Sequence, residues 1–233
     1  MKQIKLFFGI LLLSFSTKAQ TVLLNVDRNN EQKITERGPN LKKFTHIIFH
    51  AGLLASQDKP GAQIIYGGSL NLALGIRKKY KITPFYSLGF DIQNQYTDYK
   101  LKQVKGKILP DTVINNISGR LDYYSSGFGF YNRINFDPRR GNFLGAFLDL
   151  GIMGEWYYSI KSVSKNKRTD GTILKSVVRN LPYVNNLDAK IYARIGFSHF
   201  SLFGSYRLTE LFKTSFNYPD LPRLILGMEL AIF

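Results

Sequence analysis

Residues 144–158 read LGAFLDLGIMGEWYY, and their spacing decides the fold. Leu144, Ala146, Leu148, Leu150, Ile152, Trp156 and Tyr158 fall on alternate positions, with Gly145, Asp149, Gly151 and Glu155 between them. Successive side chains of a strand point to opposite faces, so this segment has one apolar face and one polar face. The stretch also exceeds the roughly 9 to 11 residues that a tilted strand needs to cross a bilayer.

The same period of two recurs in both directions from this segment. It is present in FTHIIFHAGLLA (44–55), IYGGSLNLALGIR (65–77), TPFYSLGFDIQNQY (83–96) and SSGFGFYNRINF (125–136), and after it in LDAKIYARIG (187–196), FSLFGSYRL (200–208) and LPRLILGMELAIF (221–233). With 144–158 these make eight segments, separated by turn-rich or charged stretches such as Asp137-Pro138-Arg139-Arg140-Gly141-Asn142. The expected fold is all-β: an eight-stranded antiparallel up-and-down transmembrane β-barrel over residues 44–233. Short connections are expected at 78–82, 137–142 and 198–200, with a brief first loop near Asp58. Longer ones at 105–116, 161–178 and 213–220 would face outside the cell.

Composition agrees with strands rather than membrane helices. Hydrophobic residues make up 44% and aromatics 14% of the 233 residues, yet mean hydropathy is only -0.13. The one long apolar run is Leu6 to Phe15, preceded by Lys2 and Lys5 and followed by Thr17-Lys18-Ala19. That is the pattern of an export signal cut after Ala19, and the run is well short of the roughly 20 residues a spanning helix requires. Residues 1–19 are therefore expected to be a signal peptide. Residues 20–43, polar and broken by Gly38-Pro39, form a periplasmic lead-in.

The chain has no cysteine, which excludes a lipid-anchored N-terminus, disulfides and thiolate metal sites. Net charge is +16, or +13 once Lys2, Lys5 and Lys18 leave with the signal. In an exported protein this excess points to outer-membrane lipid and lipopolysaccharide phosphates as partners, and no nucleic-acid motif accompanies it.

The energy of a charge in lipid settles which face points out. An Arg or Lys on the lipid face near the midplane costs about 2–4 kcal/mol. Arg77, Arg133, Lys190, Arg194 and Arg207 all fall on polar faces, so the apolar faces are expected to meet lipid. A soluble ligand-carrying barrel would need the opposite phase. The interior then holds Arg77, Asp91, Arg133, Asp149, Glu155, Lys190, Arg194, Arg207 and Glu229 as a lumen charge network. An eight-stranded barrel is just wide enough for side chains to fill, so the expected lumen is plugged.

Two further groups are candidates for contact with the envelope. Trp156, Tyr157 and Tyr158, with Tyr96, Tyr99, Tyr123 and Tyr124, are expected in an interfacial aromatic girdle. Lys161, Lys165, Lys167, Arg168, Lys175 and Arg179 in the 161–179 loop are possible lipopolysaccharide-phosphate contacts, or simply a solvated charge run. Neither catalytic residues, a cofactor nor a metal is expected. His46 and His50 share a face but lie about 13 Å apart along a strand, too far to ligate one ion. No serine can be matched by spacing with a histidine and a carboxylate, so a barrel enzyme acting on lipid or protein at the surface is the alternative class. In the last strand Leu224, Leu226, Met228, Leu230 and Ile232 make the better apolar face, which leaves the terminal Phe233 out of phase.

The export signal, GPNLKK (38–43), YNRINFDPRRGN (131–142), YRLTELFKTSFNYPDLPR (206–223) and GMELAIF (227–233) together resemble the PorT-type outer-membrane β-barrel family, over nearly all of 44–233. That resemblance implies a barrel in the cell outer membrane inserted by the barrel-assembly machinery. It also implies a possible protein partner in a secretion complex, since some members are linked to type IX secretion. It supplies no catalytic residues.

Overall fold

The computed structural model describes residues 37–55, 59–109 and 116–233. The expected signal peptide and residues 20–36 of the lead-in lie outside them. The described chain is built from β1 (Lys43–Leu54), β2 (Leu70–Lys81), β3 (Tyr86–Leu101), β4 (Asn116–Asn135), β5 (Ala146–Lys167), β6 (Ile173–Arg179), β7 (Leu187–Phe197), β8 (Phe200–Arg207) and β9 (Leu224–Ile232). Among the described residues no helix is long and apolar enough to cross a membrane.

Each strand from β1 to β5 pairs antiparallel with the next, β5 pairs with β7, then β7 with β8, β8 with β9, and β9 returns to β1. Eight strands thus close a barrel-like ring and leave no free edge along it. The ninth, β6, lies where a loop over 161–178 was expected. It forms a hairpin with the upper part of β5, from Lys161↔Arg179 to Lys167↔Ile173. All seven residues of β6 are exposed, which explains why no alternation marks it.

Other boundaries move for related reasons. β2 begins at Leu70 because Tyr66–Gly68 form a single helical turn, and it runs on through Lys78–Lys81, where a turn was expected. Lys79 points inward and donates to the Pro39 carbonyl, so this charge belongs to the wall. β3 and β4 reach well beyond the alternating segments, paired as far as Leu101↔Gly119. The first loop, residues 55–69, is longer than the turn near Asp58 implied; residues 56–58 lie outside the described ones.

Alternation in burial runs around the whole ring. Strand β1 is the plainest, alternating exposed and buried at every residue from Lys43 to Leu54. In β5, Leu150, Ile152, Trp156 and Tyr158 are exposed, while Phe147, Asp149, Met153, Glu155 and Tyr157 are buried. Leu144 departs from the expected outward face. It precedes the strand and is buried with Phe44 and Ala231 at the end of the ring where the chain enters β1. Phe233 lies at the same end and stacks on His199, with ring centroids 4.2 Å apart.

Both ends of the interior are closed by apolar side chains. Near the termini the closure is Phe44, Leu144 and Ala231. At the far end Leu54, Tyr99, Leu121, Tyr123, Tyr157 and Ile225 from the walls pack with Leu181, Val184, Leu211, Phe212 and Leu221 from the loops. Tyr99, Tyr123 and Tyr157 were expected in an outer girdle, and they are inside instead. An extra residue on β5, Tyr158, falls between the pairs Tyr124↔Ser159 and Ser125↔Tyr157. The bulge affects only the residues after it; the three tyrosines are inside because they keep the inward phase of their own strands, Tyr99 with Asp91, Tyr123 with Arg133 and Tyr157 with Glu155.

Candidate functional site

Between the two apolar closures the inward positions carry charge. Arg77 on β2 donates from Nε to Asp91 on β3 (2.7 Å) and from Nη1 and Nη2 to Glu229 on β9 (2.5 and 2.7 Å). Arg194 on β7 reaches Asp91 at 2.7 Å and approaches Asp149 at 3.2 Å. Arg133 on β4 makes a two-pronged contact with Asp149, at 2.7 and 2.9 Å. Arg77, Arg133 and Arg194 therefore face Asp91, Asp149 and Glu229 in one balanced cluster, every member nearly or fully buried. Paired guanidinium and carboxylate groups offset each other's desolvation only when their remaining hydrogen-bond capacity is also met. Tyr192 and Ser201 hydroxyls supply part of this, donating to Asp91 and Glu229.

The other residues expected in this network sit to one side. Lys190 pairs with Glu155 at 2.7 Å, and Gln95 also donates to Glu155. Arg207 does not join the central cluster; it pairs with Asp220 at 3.1 Å under the loop closure. Asp220 also accepts from Arg223 Nε and the Leu211 N–H. Nothing in the alternation pointed to Asp220, because it lies in the irregular stretch before β9.

Tyrosine rings and glycines complete the packing. Tyr131 lies within cation–π range of all three central guanidiniums, 5.6 Å from Arg77, 5.5 Å from Arg133 and 5.0 Å from Arg194. Its hydroxyl occupies space that a Cβ on Gly89 would fill, at 2.4 Å, and that Cβ would also meet the Lys78 carbonyl at 2.4 Å. Because the backbone carbonyl cannot yield as a side chain can, Gly89→Ala is expected to destabilise the protein by about 1–3 kcal/mol. Equilibrium unfolding in urea checks this. A small cavity of about 30 Å³ remains beside the charges, lined by His50, Gln95, Met153, Glu155 and Lys190 among others.

The two histidines of β1 are both inside but have different surroundings. His50 is hydrogen-bonded to Asn71 (3.0 Å), whereas His46 stacks on Phe44 and neither of its ring nitrogens has a hydrogen-bond partner. Among the described residues no group of three or more metal-ligating side chains comes together.

One element that sequence reasoning missed ties the lead-in to the ring. Asn40 donates through Nδ2 to the Arg140 and Gly141 carbonyls and accepts from Lys81. Its own N–H donates to Asn142. GPNLKK is thus a clasp across the terminal end of the ring, gripping the β4–β5 turn. The signal for it was the Gly-Pro-Asn triplet itself, whose residue types favour a turn with a side-chain cap.

The expected phosphate contacts divide among three settings. Lys161 lies 3.6 Å from Asp122, and Arg179 is its cross-strand neighbour. Lys167 and Arg168 stand at the tip of the β5–β6 hairpin, where the Thr172 N–H donates to Asp170 and holds that carboxyl below its usual range. Lys165 and Lys175 face each other across the hairpin.

No protein-family model and no characterised protein sequence matches the chain.

Proposed function

We propose that this protein is a non-enzymatic outer-membrane β-barrel with a plugged polar lumen. The observation that carries the reading is the uncharged belt around the outside of the ring. Outward positions across the strand centres are Ile47, Phe49, Ala51 and Leu53 on β1; Leu72, Leu74 and Ile76 on β2; Leu88, Phe90 and Ile92 on β3; and Phe128 and Phe130 on β4. They continue through Leu150 and Ile152 on β5, Ile191, Ala193 and Ile195 on β7, Leu202 and Gly204 on β8, and Leu226 and Met228 on β9. Most of the large ones are more than 40% exposed, far more contiguous apolar area than a water-soluble surface carries.

Even the polar outward residues fit a surface without water. Ser126 donates to Asn94 (2.8 Å) and the Tyr86 hydroxyl to Asn132 (2.5 Å), so each is paired with a neighbour. A polar group left unpaired in hydrocarbon costs several kcal/mol, by order of magnitude. Tyr96, Tyr124 and Tyr158 form a row of rings along one margin of the belt, spaced 4.9 and 6.5 Å, where a membrane interface would lie.

Inside, the carboxylates and guanidiniums pair in a charge-balanced cluster between two apolar closures, with Arg133 Nη1 and Arg194 Nε and Nη2 left without a hydrogen-bond partner. That arrangement favours a packed interior over a path for solute. An accessory role in a secretion or assembly complex, or in envelope integrity, rests on the PorT-type resemblance. The Asn40 clasp supports it, since a partner engaged by residues 20–36 would be tethered to a fixed rim.

Reconstitution into planar bilayers tests the plugged lumen, with no steady channel expected; sustained conductance would overturn it. Pull-down from detergent-solubilised membranes, with and without residues 20–36, tests the accessory role. A stable partner lost with the segment supports it. Chemical modification of lipid A by the purified protein would replace it with an enzymatic one.

A further inference from the structure

Above the tyrosine row, β3, β4, β5 and β6 continue as a tall wall, and its cross-strand register stacks charge in distinct rungs. The first pairs Asp98 with Asp122 and Asp122 with Lys161. The next pairs Lys100 with Arg120, and the one beyond pairs Ser118 with Lys165 and Lys165 with Lys175. Lys100, Arg120, Lys165 and Lys175 line one groove of about 510 Å³, and the exposed Ile65 and Ile117 lie on it too.

Two of these rungs place like charges directly opposite each other, Lys100 against Arg120 and Lys165 against Lys175. Such pairs are destabilising in a sheet. Arg120 is partly offset by Asp122, 3.6 Å away. Among the described residues no carboxylate lies within 4 Å of Lys165 or Lys175. A wall that adds the unpaired Lys165 and Lys175 to Lys100 and a partly offset Arg120 is arranged for an anion from outside.

We propose that this groove binds the phosphate of an outer-leaflet glycolipid. The inference rests on the membrane reading above and specifies one ligand for it. Height selects a lipid as the source. From Tyr96 to Lys100 is four residues, about 13 Å along the strand and roughly 10 Å along the normal for a strand tilted near 40°. That lifts Lys100 and Arg120 from the interfacial tyrosines to the level of head groups; Lys165 and Lys175, level with Ser118, stand two residues higher, roughly 15 Å above the tyrosines. Ile65 and Ile117 offer apolar contact beside the charges, which a free phosphate ion has no use for. The site also sorts the cations of the 161–179 region: Lys165 and Lys175 bind, joined by Lys100 and Arg120, while Lys161 is held by Asp122.

The test uses the full mature chain folded in detergent micelles. Binding is measured by native mass spectrometry with bis-phosphorylated lipid A, with the same lipid dephosphorylated, and with inorganic phosphate as competitor. The wild type is expected to retain the phosphorylated lipid. The double variant K165Q/K175Q is expected to bind it on the order of tenfold more weakly. Both lysines are exposed and mutually repulsive, so this variant should be at least as stable as the wild type, which unfolding in urea verifies. A second pair, K43Q/K78Q at the opposite end of the ring, should leave binding unchanged.

Equal affinity for the two lipids, equal losses in both double variants, or full displacement by inorganic phosphate at matched concentration would each overturn the proposal. Heat-modifiable gel migration and vesicle insertion are run on the same preparations. A chain that inserts but fails the lipid test defeats this proposal alone. A chain that does not insert defeats the membrane reading and this one with it.

Discussion

Asp91→Ala is expected to destabilise the folded protein by about 3–5 kcal/mol, the cost of leaving buried charge without its partner. Asp91 accepts from Arg77 and from Arg194, each at 2.7 Å, and is itself fully buried. Removing it leaves three guanidiniums facing two carboxylates. Adding Arg194→Ala to the same chain restores the balance, so the double variant should recover part of the loss, although it leaves a cavity. That non-additivity separates a charge effect from simple loss of packing. Urea unfolding in vesicles, followed by the emission of Trp156, the chain's only tryptophan, measures both variants.

Ile152→Arg is the second large effect, and it concerns the other face. Ile152 lies at the centre of the outward belt on β5 and is 62% exposed. In a bilayer an arginine there costs about 2–4 kcal/mol, while Tyr158→Arg at the tyrosine row costs only about 0–1 kcal/mol. On a water-soluble protein both surface changes would fall within about 0.5 kcal/mol of neutral. A depth-dependent penalty is therefore specific to lipid, and equal small effects at the two positions would contradict the membrane reading.

How far these features could be read from sequence depends on what surrounds each strand. Where one face is inside and the other carries the exposed apolar belt, alternation survives, and 144–158 reveals both faces at once. Arg77, Asp91, Arg133, Asp149 and Glu229 stand out because each interrupts an otherwise small or polar face. Their partners were not legible, since Arg77 meets Glu229 only through closure of the ring, 152 residues away. In the upper parts of β4 and β5 the pattern inverts, with Leu121, Tyr123 and Ile160 inside and Arg120, Asp122 and Lys161 on the outer face, and β6 is exposed at every residue, so these segments read as loop. Tyr99, Tyr123 and Tyr157 show a different limit, because an aromatic residue near a strand end suits a girdle and an apolar closure equally. Composition does not choose between those, but the period does: Tyr99, Tyr123 and Tyr157 share the inward phase of Asp91, Arg133 and Glu155 on their own strands.

The belt itself can be probed residue by residue, because the chain has no cysteine of its own. Single cysteines at positions 149 to 156 of β5, spin-labelled in lipid vesicles, would report contact with oxygen and with a water-soluble nickel reagent. Leu150, Ile152 and Trp156 should show high oxygen and low nickel accessibility, with Asp149, Met153 and Glu155 low for both. Nickel reaching Leu150 and Ile152 as readily as oxygen would place those side chains in water and contradict the membrane barrel.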